Sequence, residues 1–321
     1  MKKIRLSELK DAFHATFDLF ICASSFEERC VSIPQSMCQS IYREAFVVYN
    51  ADCCEYSHII STNVDRLFRQ LKPNSKKVPI SISDPLVTAD SIDHAISTMI
   101  SEKIVSTILF DITAFTHEAL LIVYKLLQMR CPEAKVTYVY ANAAEYSLND
   151  DVASKWLSNG IGEIRTVLGY PGVITPIKKT HLILIVGYEY ARANAVIEAI
   201  EPDTISLGYG RSNNATTDKD KDANEHYKIL VERMAASYSV INSFDLPCND
   251  PFQASICIQE QIDNAKDNNI LLVPMNNKIS TLGAALAADR NSSVQICYAP
   301  AQKYNYENYS SPGLECYIIE Y

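Results

Sequence analysis

The strongest constraint on the fold is an apolar-to-polar pattern that occurs twice in this 321-residue chain. An apolar run at residues 108–110 leads into a polar turn that begins at Asp111, and an apolar-periodic segment follows from Leu120. A second apolar run, residues 270–273, leads into Pro274 in the same way, at an offset of 274 − 111 = 163 residues. Each copy predicts the end of a buried strand, a turn and the start of a helix.

Strand-like runs alternate with helical patterns along the rest of the chain. This alternation predicts an α/β fold with parallel sheets. The predicted strands are residues 17–23, 45–49, 78–82, 105–110, 135–140, 181–187, 204–208, 238–244, 270–273 and 294–298. Helices are expected at residues 57–71, 90–101, 116–129, 226–236 and 252–266. Two more are expected to run from after Arg29 toward Ile41 and to end near Ile200.

The two halves also agree outside the paired turns. The end of the fifth strand reads YANAAEY at residues 140–146 and YAPAQKY at residues 298–304. We therefore interpret the chain as two tandem Rossmann-like units that form a pseudo-dimer. The predicted boundaries are 1–147 for the first unit, 148–176 for a connector that holds the single tryptophan, and 177–321 for the second unit.

Composition excludes several classes of function. A net charge of −9 argues against non-specific binding to duplex DNA, and only nine glycines argue against a glycine-rich phosphate loop. We find no secretion signal, and no apolar run reaches the roughly 18 residues of a membrane span. The ten cysteines lack paired CxxC motifs, so we expect reduced thiols in a cytoplasmic protein and no metal site.

The candidate binding residues lie in the turns after the first and fourth strands of each half. If the two sheets face each other, these turns converge on a cleft between the halves. Their hydroxyls, amides and cationic groups suit an anionic ligand such as a nucleotide, on whose base Phe26 or Tyr188 can stack. The candidates are Ser24, Ser25, Arg29, Asp111, Thr113, Thr116 and His117 in the first half, and Tyr188, Arg192, Asn276, Asn277 and Lys278 in the second.

Purely structural roles explain several of the same residues. Asp111, Thr113 and Thr116 also suit the cap of a helix. Arg29 also suits an ion pair with Glu27 or its neighbour, and His117 suits an ordinary surface position.

Residues 111–117, DITAFTH, resemble the turn after the fourth strand of CRISPR-associated Rossmann fold (CARF) domains. The pattern in that family is an acidic or apolar residue, Thr, two small residues, Thr and Lys. This chain keeps Asp111, Thr113 and Thr116, but has Phe115 in place of a small residue and His117 in place of the lysine. Lys278 supplies a lysine in the second half, displaced by two positions under the offset of 163.

The tandem layout resembles SAVED domains, which are fused CARF-like pairs that sense cyclic oligonucleotides in antiphage defence. The resemblance implies a cytoplasmic sensor that binds a cyclic or linear oligonucleotide and signals to a separate effector protein, with no other cofactor and no membrane partner. One alternative is a ring-nuclease-like phosphodiesterase, in which His117 would be the candidate general base. Another is a structural subunit of a defence complex.

Overall fold

The computed structural model describes residues 1–53, 55–146, 157–210 and 241–320, together with residues 229, 232, 233, 235, 236 and 238. The chain divides into two compact units. The first contains residues 1–146 and 306–321, and the second contains residues 147–305. The sequence interpretation assigned residues 177–321 to the second unit. The difference arises because the last strand of the chain pairs with the first sheet.

Most strands of the described residues coincide with the apolar runs. They are β1 (Lys2–Arg5), β2 (Phe17–Ser24), β3 (Tyr42–Asn50), β4 (Lys76–Ile80), β5 (Thr107–Asp111), β6 (Lys135–Tyr146), β7 (Ser158–Ile161), β8 (Arg165–Pro171), β9 (Thr180–Ile185), β10 (Thr204–Gly210), β11 (Ile241–Leu246), β12 (Asn269–Pro274), β13 (Gln295–Tyr298), β14 (Ala301–Tyr304) and β15 (Ser310–Glu320).

The α-helices whose bounds fall within the described residues lie mainly between successive parallel strands. They are α1 (Leu9–Ala12), α2 (Ser32–Ser36), α3 (Ser57–Gln70), α4 (Pro85–Glu102), α5 (His117–Arg130), α6 (Tyr190–Ile200), α7 (Pro251–Asn264) and α8 (Lys278–Asp289). Short 3-10 turns occur at Leu6–Glu8, Glu28–Val31 and Gln39–Ile41.

The first sheet has the strand order β1-β15-β6-β5-β2-β3-β4. The five strands from β6 to β4 are parallel to their neighbours, whereas β15 is antiparallel to β6, and β1 is antiparallel to β15. Strand β2 is buried from Asp18 to Ser24, which is typical of a central parallel strand covered on both faces.

The second sheet has the strand order β11-β10-β9-β12-β13-β8. Its strands are parallel except for β8, which is antiparallel to β13. Leu182, Leu184, Val196 and Ile197 form part of the core between β9 and α6. Strands β7 and β14 form a separate antiparallel pair in the same unit.

Both sheets therefore place their five parallel strands in the same order, 3-2-1-4-5 in each unit's own count. The predicted α/β class with mostly parallel sheets is confirmed, while the internal duplication and the pseudo-dimer stay predictions. In this order the chain reverses direction across the sheet between the first and fourth strands. The carboxyl ends of β2 and β5, and of β9 and β12, are thus the positions where open parallel sheets bind ligands.

Two predicted helices differ in extent from the observed ones. Helix α4 begins at Pro85 instead of residue 90, because Asp84 caps it by accepting hydrogen bonds from the amides of Leu86 and Val87. The helix expected between residue 29 and Ile41 is replaced by two 3-10 turns around the short α2. Pro34, which lacks a backbone N–H, is compatible only with the first turn of a helix.

Four sequence predictions fall outside the described residues. They are the connector position Trp156, the polar and charged run 215–225, whose composition predicts a solvated loop, most of the helix 226–236 and the first part of the strand 238–244.

Candidate functional site

The turn after β2 is tied to helix α3 by its two serines. Ser24 is buried, and its Oγ donates to the carbonyl oxygen of Ile60 at 3.1 Å. Ser25 is half-buried, and its Oγ accepts from the amide of Glu27, while its carbonyl oxygen accepts from Nδ2 of Asn63. Both serines therefore stabilise the turn in the structure described.

Arg29 lies beneath this turn and is 3% exposed. Its Nε donates to Oε2 of Glu27 at 3.0 Å, and its Nη1 donates to the carbonyl oxygen of Ala141 at 3.1 Å. The guanidinium also lies over the rings of Tyr140 and Tyr146. Burial disfavours the charge, but Glu27 and the two tyrosines outweigh it and raise the pKa of Arg29. The pairing of Arg29 with Glu27 agrees with its structural interpretation.

Aromatic side chains from the C-terminal segment lie on the same turn. The ring of Tyr309 contacts Phe26 edge to face at a centroid distance of 5.4 Å, and Phe26 contacts Tyr56 at 4.9 Å. Tyr306 packs against Tyr56 at 5.6 Å. Ser310 Oγ donates to Glu27 at 2.8 Å, so the C-terminal segment also forms a hydrogen bond with the turn after β2.

The turn after β5 contains a buried carboxylate. Oδ1 of Asp111 accepts hydrogen bonds from the amide and the hydroxyl of Thr113. Thr113 Oγ1 in turn accepts from the amide of Ala141 at 2.9 Å, which links the turn to β6. Burial raises the pKa of Asp111 to about 7, although the Thr113 hydrogen bonds and the charge of Arg29 oppose the shift.

Helix α5 begins directly after this turn. Thr116 is its N-cap, and Thr116 Oγ1 accepts from the amide of Ala119 at 3.1 Å. His117 is the first helical residue and is half-buried, and Glu118 follows as a buried acidic residue in the first turn. The cap predicted at Thr116 is confirmed.

The first turn of the second unit contains a similar buried arginine. Arg192 donates to Glu189 and to Oγ of Ser158, and its Nη2 donates to the carbonyl oxygen of Ala299 at 2.6 Å. Arg192 is buried, whereas Tyr188 is half-buried. In both units an arginine after the first strand thus bonds to a glutamate that precedes it and to a backbone carbonyl oxygen of the fifth-strand region, which is within β6 for Ala141 and just beyond β13 for Ala299.

The asparagine pair after β12 connects neighbouring turns. Nδ2 of Asn276 donates to the carbonyl oxygen of Val186 at 2.6 Å, and Nδ2 of Asn277 donates to that of Cys248 at 2.7 Å. Asn277 is also the N-cap of α8, since its Oδ1 accepts from the amide of Ser280 at 2.9 Å. Lys278 is the first helical residue and is half-buried.

Aligning the two helix caps corrects the relation between the turns. Thr116 corresponds to Asn277 at an offset of 277 − 116 = 161, which pairs His117 with Lys278 at 278 − 117 = 161. With the offset of 161, Lys278 aligns with His117 and is not displaced by two positions, as it is under the offset of 163. Each unit has a nitrogen-bearing side chain at the first residue of the helix after its fourth parallel strand.

Within each unit, the structure brings the predicted residues to one region of the sheet edge. Sequence reasoning missed the partners that hold them, namely Ala141, Ala299, Ser158, Tyr140 and the C-terminal segment. Every residue type has a backbone carbonyl oxygen, so the sequence does not indicate which ones accept these hydrogen bonds. The spacings from Glu27 to Arg29 and from Glu189 to Arg192 were the available signals for the buried ion pairs.

The described residues contain neither a cluster of metal ligands nor a membrane-spanning helix. No group of three or more His, Cys, Asp or Glu side chains there is arranged to hold a metal ion. Nor does that part of the chain contain a helix whose length and apolar content would let it cross a membrane.

The chain matches no protein family model and no curated protein. Similar solved structures include Can2 from Sulfobacillus thermosulfidooxidans in complex with cyclic tetra-adenylate, at 11% identity and a TM-score of 0.28, over 43% of this chain and 35% of Can2. The chain thus spans about a third of that protein's length.

Two more similar structures have unrelated descriptions. An ABC transporter solute-binding protein from Burkholderia multivorans has 13% identity and a TM-score of 0.26, over 77% of this chain and 75% of that protein. The cytoplasmic domain of a prokaryotic cation chloride cotransporter has 8% identity and a TM-score of 0.27, over 91% of this chain and 99% of that domain. None of these likenesses identifies a family.

Proposed function

We propose that the chain is a cytoplasmic sensor of antiviral defence that binds a cyclic or linear oligonucleotide and signals to a separate effector protein. The ligand binds at the carboxyl edge of the parallel sheets, and the two units are copies of one CARF-like fold, as in SAVED-like proteins. The proposal combines the resemblance of residues 111–117 with the geometry of the helix starts.

The observation that carries the proposal is the paired start of α5 and α8. Each helix follows the fourth parallel strand of its unit, at the point where the strand order reverses. Each has a side-chain cap followed by His117 or Lys278 at the first helical position. The positive end of a helix dipole together with free amide groups favours a phosphate at such a position.

The second unit supplies the more favourable anion contact. The first turn of α8 contains Lys278 and no acidic residue, whereas α5 has the buried Glu118 in its first turn. Tyr188 lies in the adjacent turn after β9 and is half-buried, and in the proposal its ring stacks on a base of the ligand. We therefore assign the main phosphate contact to Lys278.

Buried candidates act by holding the turns in place. Arg29 and Arg192 are engaged by glutamates and carbonyl oxygens, and Asp111 is engaged by Thr113. In the proposed sensor these residues fix the geometry of the edge, while the half-buried side chains contact the ligand.

The test is a melting-temperature screen of the purified chain with cyclic oligoadenylates, linear oligonucleotides and mononucleotides. We expect at least one ligand to raise the melting temperature and Lys278→Gln to abolish the increase. Lys266→Gln, which removes an exposed lysine elsewhere in the second unit, is the matched control and should respond like the wild type.

Chromatography of the same mixtures distinguishes the alternatives. Ligand recovered intact supports a sensor, and cleavage that is lost in His117→Ala supports the ring-nuclease-like enzyme. If no ligand in the panel changes the melting temperature, the proposal is wrong and a structural subunit is favoured.

A further inference from the structure

A loop of the second unit exposes three aliphatic side chains. It connects β8 to β9, and the exposed fractions are 60% for Val173, 50% for Ile174 and 94% for Ile177. Lys178 and Lys179 follow and are also exposed. Scattered single apolar residues on a surface are ordinary, but three within five positions of one loop form a patch.

The loop is held in place by a buried side chain. Asn269 is 4% exposed, and its Oδ1 accepts from the amide of Thr175 at 2.8 Å. Its Nδ2 donates to the carbonyl oxygens of Thr175 at 2.9 Å and Lys178 at 3.1 Å. The amide of Val173 donates to the carbonyl oxygen of Ser293. These hydrogen bonds therefore fix the conformation of the loop that exposes the three aliphatic side chains.

A groove of about 470 Å³ lies beside this loop in the same unit. Its apolar lining comes from Ile161, Ile164, Ile200 and Leu271, and Gln295 lies at its border with the loop. A Cβ atom on Gly172, at the base of the loop, would lie 2.6 Å from the backbone nitrogen of Gln295, so loop and groove adjoin.

The charges around the two features favour a protein surface over an anionic membrane. Two charged side chains line the groove. Glu163 is exposed and complementary to Lys178 and Lys179 on the loop, whereas Arg165 is half-buried and lies over the ring of Tyr298. Asp203 accepts from the amide of Thr180 at the end of the loop and offsets part of its positive charge. The net charge of −9 for the whole chain also disfavours binding to an anionic membrane.

We propose that a second copy of this chain occupies the groove. An apolar projection beside an apolar groove on one surface is self-complementary under two-fold symmetry, because each copy can insert its loop into the groove of the other. Ile177 enters the groove lined by Ile200 and Leu271 of the second copy, and the loop lysines lie next to Glu163. The surface is an isologous dimer interface, separate from the carboxyl-edge turns.

Sedimentation velocity of the full chain, at concentrations from about 1 to 100 µM, tests the proposal because this range spans weak to moderate dimers. We expect a monomer–dimer equilibrium. Ile177→Asp should raise the dimer dissociation constant at least tenfold, and so should Ala199→Glu, which changes an exposed groove residue without altering the loop. Leu314→Asp, at an exposed site of the first unit, is the matched control and should dimerise like the wild type.

A cross-linking experiment checks the geometry. A mixture of Ile177→Cys and Ala199→Cys chains should form a covalent heterodimer with a short thiol cross-linker, more than either variant alone. A wild-type chain that stays monomeric overturns the proposal, as does a dimer that both charge substitutions leave intact. Co-sedimentation of monomeric wild type with phosphatidylserine vesicles, lost in Ile177→Asp, would instead make the loop a membrane contact.

Discussion

Nη1 of Arg29 lies 3.1 Å from the carbonyl oxygen of Ala141, which joins the turn after the first parallel strand to the fifth across 112 residues of sequence. The second unit repeats this relation between Arg192 and Ala299 at 2.6 Å. In each case the cation is buried with a glutamate, so the ion pair and the backbone acceptor form one network.

We expect Arg29→Met to lower the free energy of unfolding of the first unit by about 3–5 kcal/mol. Removing one partner leaves the largely buried carboxylate of Glu27 with the hydroxyl of Ser310 as a donor but without its cation. Urea denaturation followed by hydrogen exchange of first-unit peptides measures the loss. Arg130→Met breaks the more exposed pair with Asp93 and should cost less than about 1 kcal/mol. Equal effects of the two substitutions would contradict the role of burial.

Asp111 should make the first unit less stable as the pH rises. Burial raises its pKa to about 7 in the folded chain, above the ordinary value of 3.8. Between these values the folded state binds more protons than the unfolded state, so the free energy of unfolding falls with increasing pH. In the folded chain the carboxyl group of Asp111 is mostly neutral at pH 4. Above pH 7 it is ionised while buried, which lowers the free energy of unfolding.

The variant Asp111→Asn keeps an acceptor for Thr113 and removes this titration. We expect it to be more stable than the wild type at pH 8, by an amount on the order of 3 kcal/mol, with the difference reduced to about 1 kcal/mol at pH 4.5. Urea unfolding at both pH values measures the difference. Asp65→Asn, an exposed site on α3, should show no such dependence.

His181 should give the second unit the opposite pH dependence. Its ring bonds to the hydroxyls of Thr204 and Ser206, and burial lowers its pKa below the ordinary 6.5. The unfolded state then binds more protons, so stability is complete above about pH 6.5 and decreases as the pH falls below it.

Hydrogen exchange of second-unit peptides at pH 5 and pH 7.5, corrected for intrinsic rates, tests this dependence. His181→Asn should reduce the difference between the two pH values, while His94→Asn, at an exposed site on α4, should leave it unchanged. A wild-type second unit that is equally protected at both pH values would refute the assignment.

The parallel strands were predictable because their apolar runs are long and buried. Strand β2 was expected at residues 17–23 and spans Phe17–Ser24. Strand β15 was not predicted, because an antiparallel strand at a sheet edge depends on long-range register that its own residues do not specify. Because β15 pairs with the first sheet, the second unit ends at residue 305 and not at residue 321, where the sequence interpretation ends it.

The site was predictable in position more than in detail. The turns were found because polar residues follow buried strands, and Thr116 was identified as a cap by its residue type. The amides of Asn276 and Asn277 bond to the carbonyl oxygens of Val186 and Cys248. An asparagine that holds a turn and one that binds a ligand have the same sequence signature, so only coordinates could reveal these bonds.

Substitutions at the Thr116 cap distinguish an effect on stability from an effect on the proposed ligand binding. Thr116→Ala removes the acceptor for the amide of Ala119 and should cost about 1 kcal/mol of stability in urea, whereas Thr116→Ser should stay close to the wild type. Thr116→Asp keeps a cap and is favoured by the helix dipole, but adds a negative charge where the phosphate would bind. We expect it to be as stable as the wild type and to bind an oligonucleotide identified in the melting screen at least tenfold more weakly by calorimetry. Unchanged affinity in Thr116→Asp would remove the α5 turn from the proposed site and leave Lys278 as its phosphate contact.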